Sequence, residues 1–124
     1  MRELIQSKES YQIINKCFEV HNNLGSGFLE IIYKDALAYE FEKANIPFVR
    51  EKQYQVRYKN VILEHSFFAD FVVFNNVIVE IKAVSNLRDE FLAQTINYLK
   101  VSNNKLALLV NFGEQSLKYK RVVY

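Results

Sequence analysis

The chain has 124 residues, half of them hydrophobic and 15% aromatic, so it can bury a core without disulfide or metal staples and does not read as a disordered segment. Sixteen Lys and Arg against fourteen Asp and Glu leave a formal charge of +2, too small to mark the whole surface for nucleic acid, although a local basic face remains compatible with it. A single cysteine, Cys17, excludes an internal disulfide and a Cys-rich zinc site.

Three glycines and one proline imply long regular elements with short joints. The opening "MRELIQSKES" is polar and carries no apolar run, so no signal peptide is expected there. No stretch approaches the roughly 20 apolar residues of a membrane helix. A cytoplasmic protein with no membrane association is the expectation, as one domain over residues 1–124.

From Glu9 to about Asn23, Tyr11, Ile13, Ile14, Cys17, Phe18 and Val20 with His21 recur at helical spacing. "NNLGSG" breaks that helix, and Gly25 and Gly27 can take positive φ. A second helix is expected from about Leu29 to Ala44, with Ile32, Ala36, Leu37, Tyr39 and Phe41 on its apolar side and Asn45 and Pro47 ending it. Residues 48–58 alternate like a half-exposed strand, and Lys59-Asn60 signals a turn. Two more strands are expected at 61–74 and 77–84. A third helix follows from about Arg88 to Ser102, burying Phe91, Leu92, Thr95, Tyr98 and Leu99. "KLALLVNFG" reads as a buried strand, and "SLKYKRVVY" as a final strand at a sheet edge.

The order α-α-β-β-β-α-β-β predicts a mixed α+β fold. Three strands form an antiparallel meander, and the third helix is long enough to cross over to a parallel fourth strand. The strands at 67–84 are apolar at odd and even positions alike, which requires helices on both faces of a central mixed sheet.

Within "FFADFVVFNNVIVEIKAV", residues 67–84, stand three ionisable groups, Asp70, Glu80 and Lys82. Buried charges are costly unless paired or bound to a metal. Glu80 and Lys82 are two apart, on one face, separated by about 6.6 Å along the strand. Asp70 joins them only under a register condition. A bare two-residue turn at Asn75-Asn76 pairs Asp70 with Ile81 and puts it on the opposite face, whereas a three-residue loop or a bulge pairs it with Glu80. In that register two carboxylates and the backbone carbonyl of Ile81 offer hard oxygen ligands of the kind Mg²⁺ or Mn²⁺ prefers. A lysine beside them suits phosphodiester hydrolysis. The plainer reading of the triad is a structural salt bridge.

Asp70 followed by Glu80-x-Lys82 resembles the D-x(n)-E-x-K core of the PD-(D/E)xK nuclease superfamily, with Ala69 where many members carry proline. Further motifs extend the likeness: Gly27-x-x-Glu30-x-x-Tyr33, Gln94-x-x-x-Tyr98, and "VNFG" at 110–113. From about Val20 to Val122 the chain resembles the small GxxExxY family, placed near the RecB-like exonuclease branch. The resemblance implies a restriction-endonuclease-like core and nucleic acid as partner, DNA more than RNA. At 124 residues the chain has little besides its core, so a homodimer or a partner protein is the expectation for holding DNA. It implies Asp70 and Glu80 as metal-binding carboxylates, Lys82 as the catalytic lysine and Glu30 as a further acidic site residue. It also implies Gln94 and Tyr98 as groups that orient the lysine or touch the nucleic-acid backbone, and His21 as a metal-ligand candidate. The alternative is a catalytically weak binding module on the same fold. The basic residues Arg50, Lys52, Arg57, Lys59, Lys118, Lys120 and Arg121 alternate along edge strands, where they either grip phosphates or protect the edges.

Overall fold

The structure, a computed structural model, describes residues 6–124; the first five residues of the polar N-terminal stretch lie outside the described residues. Helix α1 spans Ser7–Leu24 and α2 Glu30–Lys43. Strands β1 (Phe48–Tyr58), β2 (Val61–Val73) and β3 (Val77–Lys82) follow, then α3 (Asp89–Ser102), β4 (Leu106–Asn111) and β5 (Lys118–Val123). The fold is the mixed α+β arrangement the residue pattern predicts. The five-stranded sheet keeps sequence order, β1-β2-β3-β4-β5. β3 and β4 run parallel and the other neighbours antiparallel, so α3 is the crossover between the parallel pair.

Strand alternation divides the core into two layers. Val77, Val79 and Ile81 of β3 and Leu106, Leu108 and Val110 of β4 pack with Ile13, Cys17 and Val20 of α1 and Tyr33, Leu37 and Phe41 of α2. The opposite face, with Ala69, Val72, Ile78 and Ala107, packs against Leu99 of α3. Each large side chain so buried contributes about 1.5–3 kcal/mol. Burial also pushes the Cys17 thiol pKa well up, leaving an inert apolar filler.

The helix faces differ from their apolar patterns at several positions. Tyr11 is 73% exposed and Tyr39 59% exposed, and Ile32 also faces solvent. Tyr33 and Lys34 are buried on α2 instead. The α2 pattern misled because both of its sides carry apolar residues, and the side taken by the sheet is that of Tyr33, Leu37 and Phe41.

The β2–β3 connection decides where the carboxylates go. Val73 pairs with Val77, Val72 with Ile78 and Phe71 with Val79. The loop therefore has three residues, 74–76, with Phe74 and Asn75 at positive φ of 54° and 70°. This is the odd loop the register condition asks for. The next position in that register sets Asp70 beside Glu80.

β1 and β2 pair from Phe48↔Val73 to Tyr58↔Val61, with a register shift between Gln55 and Arg57, whereas β2 meets β3 over three pairs only. The far half of the β1–β2 hairpin consequently extends beyond the sheet as a two-stranded ribbon.

Candidate active site at the fork of β2 and β3

Beyond Phe71↔Val79 the β2–β3 ladder gives way to side chains. The Asp70 N–H donates to Glu80 Oε2 at 3.0 Å, and the Ile81 N–H donates to Asp70 Oδ2 at 2.7 Å. Each carboxylate thus takes a backbone amide that a regular ladder would have paired with a carbonyl. In an extended strand the N–H and C=O of one residue point the same way, so the Ile81 carbonyl faces this gap too. Lys82 turns to the other neighbour, its carbonyl accepting from the Phe112 N–H at 2.8 Å.

β1 is irregular at the same level. The rung between Glu51 and Asp70 is missing from the run that joins Phe48–Gln55 to β2, and Glu51 has φ of 56°. Such backbone in a non-glycine residue costs energy and clusters at functional sites. Lys34, buried on α2, reaches across to both carboxylates: its Nζ donates to Asp70 Oδ1 at 3.0 Å and also to Glu51 Oε2. Burial opposes the Lys34 charge, but the hydrogen bonds to Glu51 and Asp70 outweigh it and raise its pKa.

Glu80 is 5% exposed. Its pKa is pushed up to about 8, chiefly by burial and then by the Asp70 charge; the Asp70 N–H, Lys82 and Lys34 act against the shift. Glu30, the first residue of α2, has its pKa raised by burial, by Asp70 and by Glu51, with Lys82 and Lys34 opposing. Its charge therefore acts on the same group of residues. The Tyr98 ring stacks on Phe67 at 4.2 Å, and its hydroxyl pKa is raised by burial, Glu80 and Asp70. Lys82 Nζ sits 4.9 Å from the centroid of the Phe91 ring and forms no ion pair among the described residues.

Three sequence candidates are placed differently from Glu30, Asp70, Glu80, Lys82 and Tyr98. His21 is buried near the end of α1, where Nε2 lies 3.0 Å from the Glu114 carbonyl and the ring packs on Phe112; it bonds none of these carboxylates. Gln94 is exposed on α3 and makes no side-chain hydrogen bond among the described residues. The hydroxyl of Tyr33, the last residue of the Gly27-x-x-Glu30-x-x-Tyr33 motif, donates to the Gly25 carbonyl at 2.6 Å and accepts from the Phe28 N–H, tying down the turn before α2.

Reading the sequence missed Lys34 and Glu51, and met Asn111 only as part of "VNFG", with no role for its side chain. Lys34 lies four residues after Glu30, one helical turn along the same face, and that spacing is its only signal. Asn111 is fully buried. Its Oδ1 accepts from the Val84 and Gly113 N–H groups, and its Nδ2 donates to the Val84 carbonyl and to Glu114. Gly113 then lies so close that an added Cβ would stand 2.3 Å from the Val84 carbonyl oxygen. "VNFG" thus clamps the chain two residues after Lys82.

The donor set is oxygen-only: two carboxylates and one carbonyl around a gap, with Glu30 nearby. That chemistry fits a hard divalent cation. Among the described residues, no three His, Cys, Asp or Glu side chains are gathered as a metal cluster. Lys34 Nζ instead bridges Asp70 and Glu51 as a built-in cation.

The sequence matches the family model of the PD-(D/E)XK nuclease superfamily over residues 7–122. The chain belongs to the PD-(D/E)XK nuclease superfamily. Nucleases of this superfamily generally use divalent metals. Solved structures that share the fold include the following two. SSO0001 aligns with TM-score 0.61 and 14% identity over 94% of this chain, which spans 58% of SSO0001. An alkaline exonuclease from Laribacter hongkongensis aligns with TM-score 0.55 and 8% identity, over 98% of this chain and 72% of the exonuclease. No curated protein matches the chain in sequence. No helix among the described residues is long and apolar enough to cross a membrane.

Proposed function

We propose that this PD-(D/E)XK chain is a divalent-metal-dependent nuclease that hydrolyses phosphodiester bonds, with DNA favoured over RNA as substrate. We further read it as a GxxExxY-type protein near the RecB-like exonuclease branch, acting as one cytoplasmic domain. One observation carries the proposal: the three-residue loop puts Asp70 and Glu80 at a single gap, where both have displaced ladder hydrogen bonds, and Lys82 follows two residues later.

In this reading Asp70, Glu80 and the Ile81 carbonyl hold Mg²⁺ or Mn²⁺, with Glu30 as an additional acidic group. When bound, the ion supplies Lewis-acid polarisation of the phosphodiester and acidifies a water. Lys82 keeps an ammonium beside the gap, held against Phe91, where it orients the attacking water or offsets the negative charge that develops. Tyr98 presents a hydroxyl to the same gap. Asn111 and Gly113 fix the backbone from which Lys82 projects. Lys34 holds Asp70 in place and is neutralising in the metal-free protein. His21 is better explained by its bond to Glu114, and Gln94 is left to contact the nucleic-acid backbone.

A second reading, a binding module with little turnover, is favoured by one observation: Lys34 already neutralises Asp70. Incubation of single- and double-stranded DNA and of RNA with the protein and Mg²⁺ or Mn²⁺ separates the two. The nuclease reading expects metal-dependent cleavage that drops about 10²–10⁴-fold in Lys82→Ala, the range for losing a positioned proton-transfer group. Nucleic-acid binding without cleavage would favour the module.

A further inference from the structure

The Asp70 carboxylate faces two ways. Its Oδ2 accepts the Ile81 N–H at the fork with β3, and its Oδ1 accepts Lys34 Nζ on the side of α2 and β1. The same Nζ also holds Glu51, so an ammonium stands between two carboxylates. The Lys34 side chain is 9% exposed and that of Glu51 48%. This cation position is therefore backed by protein on the Lys34 side and reached from solvent past Glu51.

The backbone is shaped for that contact. Glu51 leaves the β1–β2 ladder opposite Asp70 and takes φ of 56°, a strained conformation for a glutamate in a strand. Glu30, one turn before Lys34 on α2, feels the charges of Asp70, Lys34 and Glu51 together. Two-ion phosphodiester sites place their cations about 3.5–4 Å apart, where they clamp the attacking and leaving oxygens. A carboxylate shared between the two ions has to present one oxygen to each. Asp70 presents its oxygens in this manner, one toward the Glu80 gap and one toward a cation that is already there.

We propose that the Lys34 ammonium fills the place of a second divalent cation between Asp70 and Glu51, so that the chain holds a single Mg²⁺ or Mn²⁺, at the Asp70–Glu80 gap. The ion at the gap rests on the metal-dependent reading above; the place held by Lys34 rests on its ion pairs. A tethered ammonium offsets negative charge, but unlike a divalent ion it cannot carry a water and acidify it. Water activation is thereby confined to the gap beside Lys82. Lys34 acts through Asp70 and touches no reacting atom, so it is a positioning residue.

The test counts Mn²⁺ ions bound by the full 124-residue chain in calorimetric titration. The expected stoichiometry is one ion in the wild type and two in Lys34→Met. Lys34→Arg, which keeps a cation in place, should stay at one, and Lys34→Met/Glu51→Gln should return to one. A merely structural ion pair predicts one ion in Lys34→Met however far the fold is weakened. That result overturns the proposal and leaves the ion at the gap standing. No ion in the wild type and one in Lys34→Met supports the place held by Lys34 and removes the metal-dependent reading. No ion in either, or two in the wild type, overturns the proposal. Should Lys34→Met lose its fold without metal, it is refolded in Mn²⁺ and its bound ions are counted after gel filtration at the same free Mn²⁺. A variant that stays unfolded in Mn²⁺ also overturns the proposal, because an ion able to take the ammonium's place restores the fold.

Discussion

At the scale of single residues, the site is a set of charges that the fold forces together before any ligand arrives. Glu80 shows this most clearly. Its carboxyl pKa rises to about 8 through burial and the Asp70 charge. The folded metal-free protein therefore holds a proton that the unfolded chain releases near pH 4.5. Stability from this group is complete below that pH and is lost as pH rises to about 8. We expect Glu80→Gln to stabilise the metal-free protein by on the order of a few kcal/mol at pH 9 and by far less at pH 4.5, measured by urea unfolding in a chelator. An equal gain at both pH values would mean that Glu80 is not strained by its charge. Lys34 answers with the opposite logic. Lys34→Met removes the cation from Asp70 and leaves two carboxylates facing each other, so it should destabilise the metal-free protein by about 3–5 kcal/mol, with added Mn²⁺ restoring part of the loss. Asp70, Glu80 and Lys82 were legible in the sequence because charges inside an apolar strand pair stand out. Lys34 and Glu51 were not, because a lysine on a helix and a glutamate in an alternating strand look like ordinary solvated residues until α2 packs across β1 and β2.

Among the elements, the β2–β3 hairpin was the most readable, since its parity left a sharp alternative and the three-residue loop resolved it. The helix faces were less so. A helix with apolar residues on both sides, as in α2, does not announce which side the sheet will take. The role of "VNFG" also needed the structure, because Asn111 and Gly113 work through the exit of a strand 27 residues away in sequence. Asn111→Ala strands the Val84 N–H, the Val84 carbonyl and the Gly113 N–H and should cost about 2–4 kcal/mol in chemical unfolding, as three partly buried backbone groups lose partners. Gly113→Ala pushes backbone against backbone. If Lys82 depends on that clamp, cleavage in this variant should fall more than global stability does; equal falls would reduce the clamp to a folding element.

Across the whole molecule, the sheet is firm at its centre and thin at one end. The β1–β2 ribbon past residue 55 has mostly exposed side chains, and a two-stranded ribbon has little stability of its own. Backbone amides of 56–65 should exchange with solvent far faster than those of 77–82 and 106–111, read by hydrogen–deuterium exchange. Uniform protection would mean that something covers the ribbon. Order, topology and the two-faced core followed from periodicity. What binds, and whether it is cut, rests on the oxygen donors at the fork. Calorimetric titration of Mn²⁺ into the wild type, Asp70→Asn and Glu80→Gln tests that most directly. The account predicts saturable binding in the wild type and its loss in both variants while their folding is retained. Unchanged binding in either variant, or none in the wild type, would contradict it.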